Sequence, residues 1–271
     1  MSVKKEPSGR RSVQVEVEVP GTIEEVWRAI STGPGVSSWF VPTEMEQHLG
    51  GKITMHFGPG MDSIATITAW EPTVRFAAES KHLGENAPAF ATEWFVEARS
   101  GGVCVVRVVH SLFAESSDWD GELEGTETGW PLYFTVLRLY LSRFRGMSGT
   151  SLIAMGSSPD SESQTWNNLT GLLGLTDTEP GQITTGSNAP RLSGFIESDG
   201  RKQSPPSLML RLNEPARGVG LIGVSTCGGG VMLSVSLYLY GDTAADVVAK
   251  QQSEWQAWIN EHFPTPVPSA P

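Results

Sequence analysis

His110 is the residue of this 271-residue chain whose type and setting best suit chemistry. It ends the apolar run Cys104-Val-Val-Arg-Val-Val-His110, in which strand alternation places Cys104, Val106, Val108 and His110 on one face. An imidazole on such a face can orient a ligand or exchange a proton near neutral pH. The alternative is a histidine that is only hydrogen-bonded within the fold. We therefore assign no firm catalytic residue and keep His110 as a candidate.

Other catalytic patterns are missing from the sequence. The five histidines, His48, His56, His82, His110 and His262, have no metal-ligand spacing. The acidic run that starts at Asp118 resembles a calcium loop only superficially, because Gly129 occupies the twelfth position. No P-loop, dinucleotide fingerprint or nucleophile elbow is found. We expect neither a metal nor any other cofactor.

The bulk composition narrows the classes of partner and compartment. A net charge of -11 and a pI of about 4.9 argue against nucleic acid and against anionic lipid surfaces. No apolar run approaches the roughly 20 residues that cross a bilayer, so we expect no membrane insertion. Cys104 and Cys227 lie in apolar runs and are expected to be buried free thiols, which suits a reducing cytosol. A soluble, cytoplasmic protein is predicted.

Periodicity in the first half predicts a sheet followed by a long helix. Thr22 can cap a short helix that carries Glu24 and Glu25 in its first turn. A long helix is expected to begin near Trp130, with Pro131 at its first position, after an irregular acidic loop at 114–128. The predicted strands, separated by Gly-rich and Pro-containing turns, are 13–19, 52–57, 63–70, 74–80, 91–99 and 103–113.

The second half repeats this pattern in weaker form. A strand at 151–155 and a helix at 161–173 come first, and a last helix starts at Thr243 with Asp246 as a partial capping box. The turn at Gly228-Gly-Gly230 matches Gly101-Gly102 of the first half. The strands predicted between the two helices are 191–197, 207–212, 218–226 and 231–240.

The first half also resembles a known family. Glu24-Glu25-Val26-Trp27-Arg28-Ala29-Ile30 and Ser38-Trp39-Phe40 are similar to elements of the activator of heat shock protein 90 ATPase family, within the START-like (SRPBCC, helix-grip) superfamily. The resemblance continues in order over residues 12–146. Its further motifs are Gly50-Gly51-Lys52, Trp70-Glu71-Pro72, Gly101-Gly102 to His110-Ser111, and Gly129-Trp130.

This resemblance implies a seven-stranded antiparallel sheet curved around a long C-terminal helix, with an apolar cavity between them. We therefore predict an α+β chain of two tandem helix-grip domains, 12–146 and 150–263, the second inferred from element order alone. An ordinary filled core would use the same residue types as the cavity. The predicted cavity lining is Trp39, Phe40, Trp70, Phe76, Phe95, His110, Trp130, Tyr133, Leu137 and Tyr140.

Three functions follow from the resemblance and the residues. The first is binding of a small hydrophobic or aromatic molecule in the cavity of the first domain. The second is a cyclase- or aromatase-like enzyme with His110 as acid/base and Tyr133 or Tyr140 as its polar partner. The third is a protein–protein module, in which the partner is a chaperone or a second copy of the chain. Fold alone does not choose among them, and the identity of the ligand lies outside the sequence.

Overall fold

A computed structural model describes residues 3–58, 62–81, 88–176, 181–227 and 230–264. The chain divides into two compact units, Met1–Gly146 and Met147–Pro271. Four features considered above lie outside the described residues: His82, Gly228, Gly229 and the side chain of Cys227.

The first unit builds one eight-stranded antiparallel sheet, in the order β1-β2-β8-β7-β6-β5-β4-β3. Its strands are β1 (Lys4–Lys5), β2 (Arg10–Pro20), β3 (Thr43–Met45), β4 (Lys52–His56), β5 (Asp62–Glu71), β6 (Arg75–Ser80), β7 (Phe90–Arg99) and β8 (Val103–Phe113). Its helices are α1 (Ile23–Ser31), α2 (Gly33–Ser37) and α3 (Asp120–Leu139), and a π-helical segment (Tyr140–Phe144) extends α3.

The pairing of β2 with β8 sets which residues face the interior. Val13 lies opposite His110 and Val19 lies opposite Cys104, so alternate residues of both strands share one face. Cys104 and His110 are both buried, as is every second residue between them. The strand and the inward face predicted from the sequence are therefore confirmed, and Cys104 is a buried free thiol.

The start of α1 follows from its sequence. The Thr22 hydroxyl accepts a hydrogen bond from the Glu25 amide, and the Glu25 carboxylate accepts one from the Thr22 amide. This capping box satisfies two backbone donors that the first turn would otherwise leave free. The helix then buries Trp27 and Ile30 against the sheet. The cap predicted at Thr22 is confirmed.

The start of α3 differs from the sequence-based prediction. The helix begins at Asp120, not near Trp130, and Pro131 lies inside it. Residues predicted to be an irregular loop are thus partly helical. Pro131 has no amide N–H, so the Glu127 carbonyl lacks its usual helical donor, but the helix continues through this position. Leu123, fully buried in a small apolar cluster, holds the earlier turns in place, so tertiary packing overrides the weak local preference.

An ion-pair cluster also fixes the beginning of α3. Arg11 donates a 2.6 Å hydrogen bond to one Asp120 carboxylate oxygen, and Lys5 lies 3.1 Å from the other. Burial raises the pKa of Asp120, but the hydrogen bonds and charges of Lys5 and Arg11 outweigh it, so this pKa lies below its ordinary value. The carboxylate therefore links β1 and β2 to the helix while it is ionised.

The second unit has the same order of elements. It contains β9 (Gly149–Ser158), α4 (Glu162–Leu173), β10 (Gln182–Thr184), β11 (Ser193–Gly200), β12 (Ser207–Glu214), β13 (Gly218–Cys227), β14 (Gly230–Tyr240) and α5 (Ala244–His262). The strands form an antiparallel sheet in the order β10-β11-β12-β13-β14-β9. Each unit thus opens with a strand, continues through a meander and ends in a long helix. The predicted tandem helix-grip organisation of the α+β class is confirmed.

Helix α5 packs closely on the edge strand of its sheet. A Cβ atom on Gly156 would lie 2.6 Å from the Ile259 side chain, so this approach requires glycine. The Gln252 and Gln256 amides bond to the backbone of β9, which occupies groups that an open edge would leave free. The partial capping box predicted at Thr243 does not form, since its side chain makes no cap bond.

Across the described ranges, none of the helices combines the length and the apolar character that crossing a membrane requires.

The two helix starts give a matched test of the capping box. We expect Thr22→Ala to lower the free energy of unfolding of the first unit by about 1 kcal/mol, because the Glu25 amide loses its hydroxyl acceptor. Thr243→Ala is the control and should change the second unit by a few tenths of a kcal/mol at most. Urea titration followed by circular dichroism measures both. Equal losses would show that the box does not act as described.

The Asp120 cluster predicts a pH dependence. Its lowered folded-state pKa means that the carboxylate stabilises the fold above its unfolded pKa, and that this contribution disappears as pH falls through the folded pKa. Asp120→Asn should therefore be less stable than the parent at neutral pH, and the difference should vanish in acid. Chemical denaturation at a series of pH values measures this. A difference independent of pH would contradict the role of charge.

Candidate functional site

Six aromatic side chains meet between the sheet and α3 of the first unit. Trp39 and Phe40 follow α2, Trp94 lies on β7, and the others lie on α3. We call this the aromatic cluster, and its members are Trp39, Phe40, Trp94, Trp130, Tyr133 and Phe134. The cluster therefore connects three parts of the fold: the segment after α2, strand β7 and helix α3.

Trp130 is the centre of the cluster. Its ring centroid lies 5.1 Å from those of Phe40 and Trp94 and 5.4 Å from that of Phe134. Phe40 in turn meets Tyr133 edge-on at 4.7 Å. Tilted and edge-to-face contacts of this kind contribute about 0.5–1.5 kcal/mol each beyond the burial of area. The cluster is therefore a strongly held apolar layer.

A chain of polar groups crosses this apolar layer. The Trp130 indole N–H donates a 2.6 Å hydrogen bond to His110 Nε2, and His110 Nδ1 lies 3.0 Å from the Thr92 hydroxyl. Thr92 is the cross-strand neighbour of His110 on β7. His110 is only 5 % exposed. We call this arrangement the Thr92–His110–Trp130 chain.

The donors in this chain define the proton on His110. An indole nitrogen can only donate, so His110 Nε2 must be the acceptor and carry no proton. The neutral ring therefore holds its proton on Nδ1 and directs it at the Thr92 hydroxyl. The geometry gives His110 a fixed orientation and a fixed tautomer.

The predicted residues Trp70 and Phe76 form a neighbouring group. Both contact Trp27 of α1, with centroids 5.3 and 5.9 Å away. Phe76 also stacks on Trp94 at 6.3 Å, which connects this group to the aromatic cluster. Trp70 is half-buried at the end of β5. These residues extend the aromatic layer toward α1.

Phe95 is a correction to the predicted lining. It lies on the outer face of the sheet, opposite Arg107, whose guanidinium stands 4.7 Å above its ring. Trp94 points inward instead, opposite the buried Val108. Strand alternation could have shown this, because Phe95 shares its face with Glu93 and Glu97.

The remaining predicted residues lie on or just after α3. Leu137 is fully buried, and Tyr133 and Tyr140 are half-buried. Burial raises the pKa of the Tyr133 phenol, so it remains a neutral group that can donate a hydrogen bond. The His110 ring nitrogens bond to Trp130 and Thr92.

The sequence analysis missed three further contributors. Phe134, directly after Tyr133, is absent from the predicted cavity lining, although it is only 2 % exposed. Thr92 gave no signal beyond strand alternation. Phe90 lies 5.1 Å from the His110 ring and belongs to the Leu123 cluster as well.

The second unit provides an internal comparison. Leu237 of β14 lies opposite Leu152 of β9, at the pairing position that His110 and Val13 hold in the first unit. Leu237 is fully buried in a core rich in leucine and valine, which also holds Trp255 and Trp258. The polar chain of the first unit thus has an aliphatic side chain at the matching place in the second.

No cluster of three or more His, Cys, Asp or Glu side chains suitable for a metal ion occurs in the portion of the chain that the structure describes.

Residues 20–142 match the family described as activator of Hsp90 ATPase homolog 1-like protein. The match lies within the first unit and confirms the resemblance seen in the sequence. No curated protein matches the chain.

Several solved structures are similar to this chain at low sequence identity. CalU16 from Micromonospora echinospora is 19 % identical, with 53 % of this chain and 84 % of CalU16 covered and a TM-score of 0.42. DynU16, from the dynemicin biosynthetic locus, is 17 % identical, with 91 % and 94 % covered and a TM-score of 0.43. The di-domain ARO/CYC BexL is 12 % identical, with 95 % and 100 % covered and a TM-score of 0.44. Similarities of this size do not bear on ligand or activity.

A double-mutant cycle tests the bond between the helix and the sheet. His110→Leu leaves the Trp130 N–H buried without an acceptor, and Trp130→Phe leaves His110 Nε2 without a donor. We expect each single change to be destabilising. The coupling energy should be about 1–3 kcal/mol, because the double variant removes both the donor and the acceptor and leaves neither of them buried without a partner.

The control cycle pairs His110→Leu with Trp27→Phe, since Trp27 contacts Trp70 and Phe76. Those two changes should be additive. Urea unfolding measures both cycles, and additivity in the His110–Trp130 pair would refute the proposed energetic role of the bond.

Proposed function

We propose that the first unit binds a small apolar or aromatic molecule between its sheet and α3. The observation that carries this proposal is the contrast between the two units. Both open with a strand, continue through a meander and end in a long helix, yet the first has the aromatic cluster around a buried histidine where the second has Leu237 in a core dominated by leucine and valine. Packing alone does not require the polar group, since the second unit packs without it.

The chemistry of the aromatic cluster supports a ligand with a planar or apolar body. Small-molecule sites are mostly apolar and contain a few polar groups that fix orientation. Indole and phenyl faces offer stacking surfaces, and the Thr92 hydroxyl, which accepts the His110 Nδ1 proton, keeps its own O–H to donate to a ligand. Tyr133, a neutral phenol at the half-buried side of the cluster, is a second donor for a ligand.

Binding is favoured over catalysis by the state of His110. Both ring nitrogens are engaged, so the imidazole would have to exchange Trp130 or Thr92 for a substrate before it could transfer a proton. A histidine held in this way is better suited to positioning a ligand than to catalysing a reaction on it. We therefore propose a positioning role for His110 and no reaction.

A titration with the neutral aromatic compound N-phenylnaphthylamine, followed by nuclear magnetic resonance of the protein, tests the site. We expect saturable binding that shifts the indole N–H signals of Trp39, Trp94 and Trp130, because these rings line the proposed site. The indole signals of Trp255 and Trp258 in the second unit serve as the control and should not move. Saturable binding that shifts only the control signals, or no saturable binding, would contradict the proposal.

A further inference from the structure

The aromatic cluster is closed by contacts between its own rings, so a ligand can reach it only if an element moves. The two halves of α3 differ sharply in how they are held. Between Trp130 and Leu139 the helix buries Trp130, Phe134, Val136, Leu137 and Leu139. Between Asp120 and Gly129 it buries Leu123 alone.

The first half of α3 is also a poor helix by composition. Gly121, Gly125 and Gly129 recur every fourth residue, and a Cβ atom on any of them would meet nothing within 4 Å. Packing therefore does not require these glycines, although each weakens the helix relative to alanine. A helix that is weak without a packing reason is suited to local opening.

Other local features act in the same direction. The N-cap residue Trp119 makes no side-chain cap bond. The Thr126 and Thr128 hydroxyls donate to carbonyls one turn back, at Leu123 and Glu124. Pro131 removes the amide that would bond to the Glu127 carbonyl, so the ladder is interrupted where the two halves meet.

We propose that Asp120–Gly129 opens as a unit about the Gly129–Pro131 junction, while the rest of α3 stays packed, and that this opening admits the ligand. The purpose of the opening rests on the proposed function, whereas the opening itself does not. The contacts that hold the segment closed are few: Leu123 in its apolar cluster, and Asp120 on Arg11 and Lys5.

The route follows from what Leu123 covers. Its cluster contains Val13, Phe90 and Leu112 of the sheet. Val13 lies opposite His110 on the neighbouring strand, and the Phe90 ring lies 5.1 Å from the His110 ring. Withdrawal of Leu123 therefore uncovers the end of the interior at which the Thr92–His110–Trp130 chain begins.

Hydrogen exchange of the full chain, without ligand, tests the opening. Amides of residues 124–129 should exchange at least about 100-fold faster than those of residues 134–139 when both are expressed as protection factors. Gly125→Ala should raise protection of residues 124–129 about fivefold, since alanine favours the helix and its methyl group meets open space. Asp120→Asn should lower that protection.

The matched control is Gly171→Ala in α4, where the added Cβ meets only the Thr176 hydroxyl at 3.9 Å. It should leave protection of residues 124–129 unchanged. Equal protection of the two halves of α3 in the parent protein, or no gain in Gly125→Ala, would overturn the proposed opening.

Stopped-flow fluorescence with N-phenylnaphthylamine tests the route. If the ligand enters through this opening, Gly125→Ala should slow association and dissociation by the same factor, about fivefold, and leave Kd unchanged. Unchanged rates in a variant with slower hydrogen exchange would overturn the route. Failure of the fluorophore to bind at all would contradict the proposed function while the exchange result still decides the opening.

Discussion

The hydrogen bond from the Trp130 indole to His110 Nε2 is the contact on which the first unit's interior depends. It joins the long helix α3 to strand β8. Because the bond lies inside an apolar layer, a buried polar group that lost its partner there would destabilise the fold. It also sets the tautomer of His110 and therefore the direction of the Thr92 bond. Trp130 is in turn the centre of the aromatic cluster, so one side chain fixes both the polar and the apolar parts of the site.

This arrangement divides α3 into parts with different physical roles. From Trp130 onward, the helix is held by ring contacts and buried aliphatic side chains, and its position is determined by the sheet. Before Trp130, the helix rests on Leu123 and on the charge of Asp120. Pro131 lies where these two parts of α3 meet. Proline ordinarily begins or breaks a helix, and here it is found inside one, at the boundary between its two parts.

Much of the fold could be predicted from the sequence because it depends on local rules. The alternation in Val13–Val19 and Val103–Phe113 gives both strands and their inward faces, and the Thr22–Glu25 spacing gives a cap that forms. The prediction failed where tertiary contacts decide. Leu123 makes residues from Asp120 onward helical, and no local pattern indicates the cluster that it enters.

The site was predictable only in part, for the same reason. Periodicity predicts that His110 faces the interior. Its hydrogen-bond partners, however, come from β7 and α3, and the local sequence of β8 does not determine how either element aligns with it. Phe95 shows the opposite error, since its aromatic character suggested the interior while alternation with Glu93 and Glu97 placed it outside.

The two units show how little must change for one fold to hold a different interior. The strand pairing that carries His110 and Val13 carries Leu237 and Leu152 in the second unit, with the surrounding topology preserved. Leucine at that place needs no partner, and the Trp258 indole of the long helix donates to the Asn188 carbonyl. A buried histidine instead obliges the helix to present a donor and a neighbouring strand to present a hydroxyl. The difference between the interiors of the two units therefore begins with one residue on the inner face of a strand, and the aromatic cluster is the environment in which that residue can be both buried and satisfied.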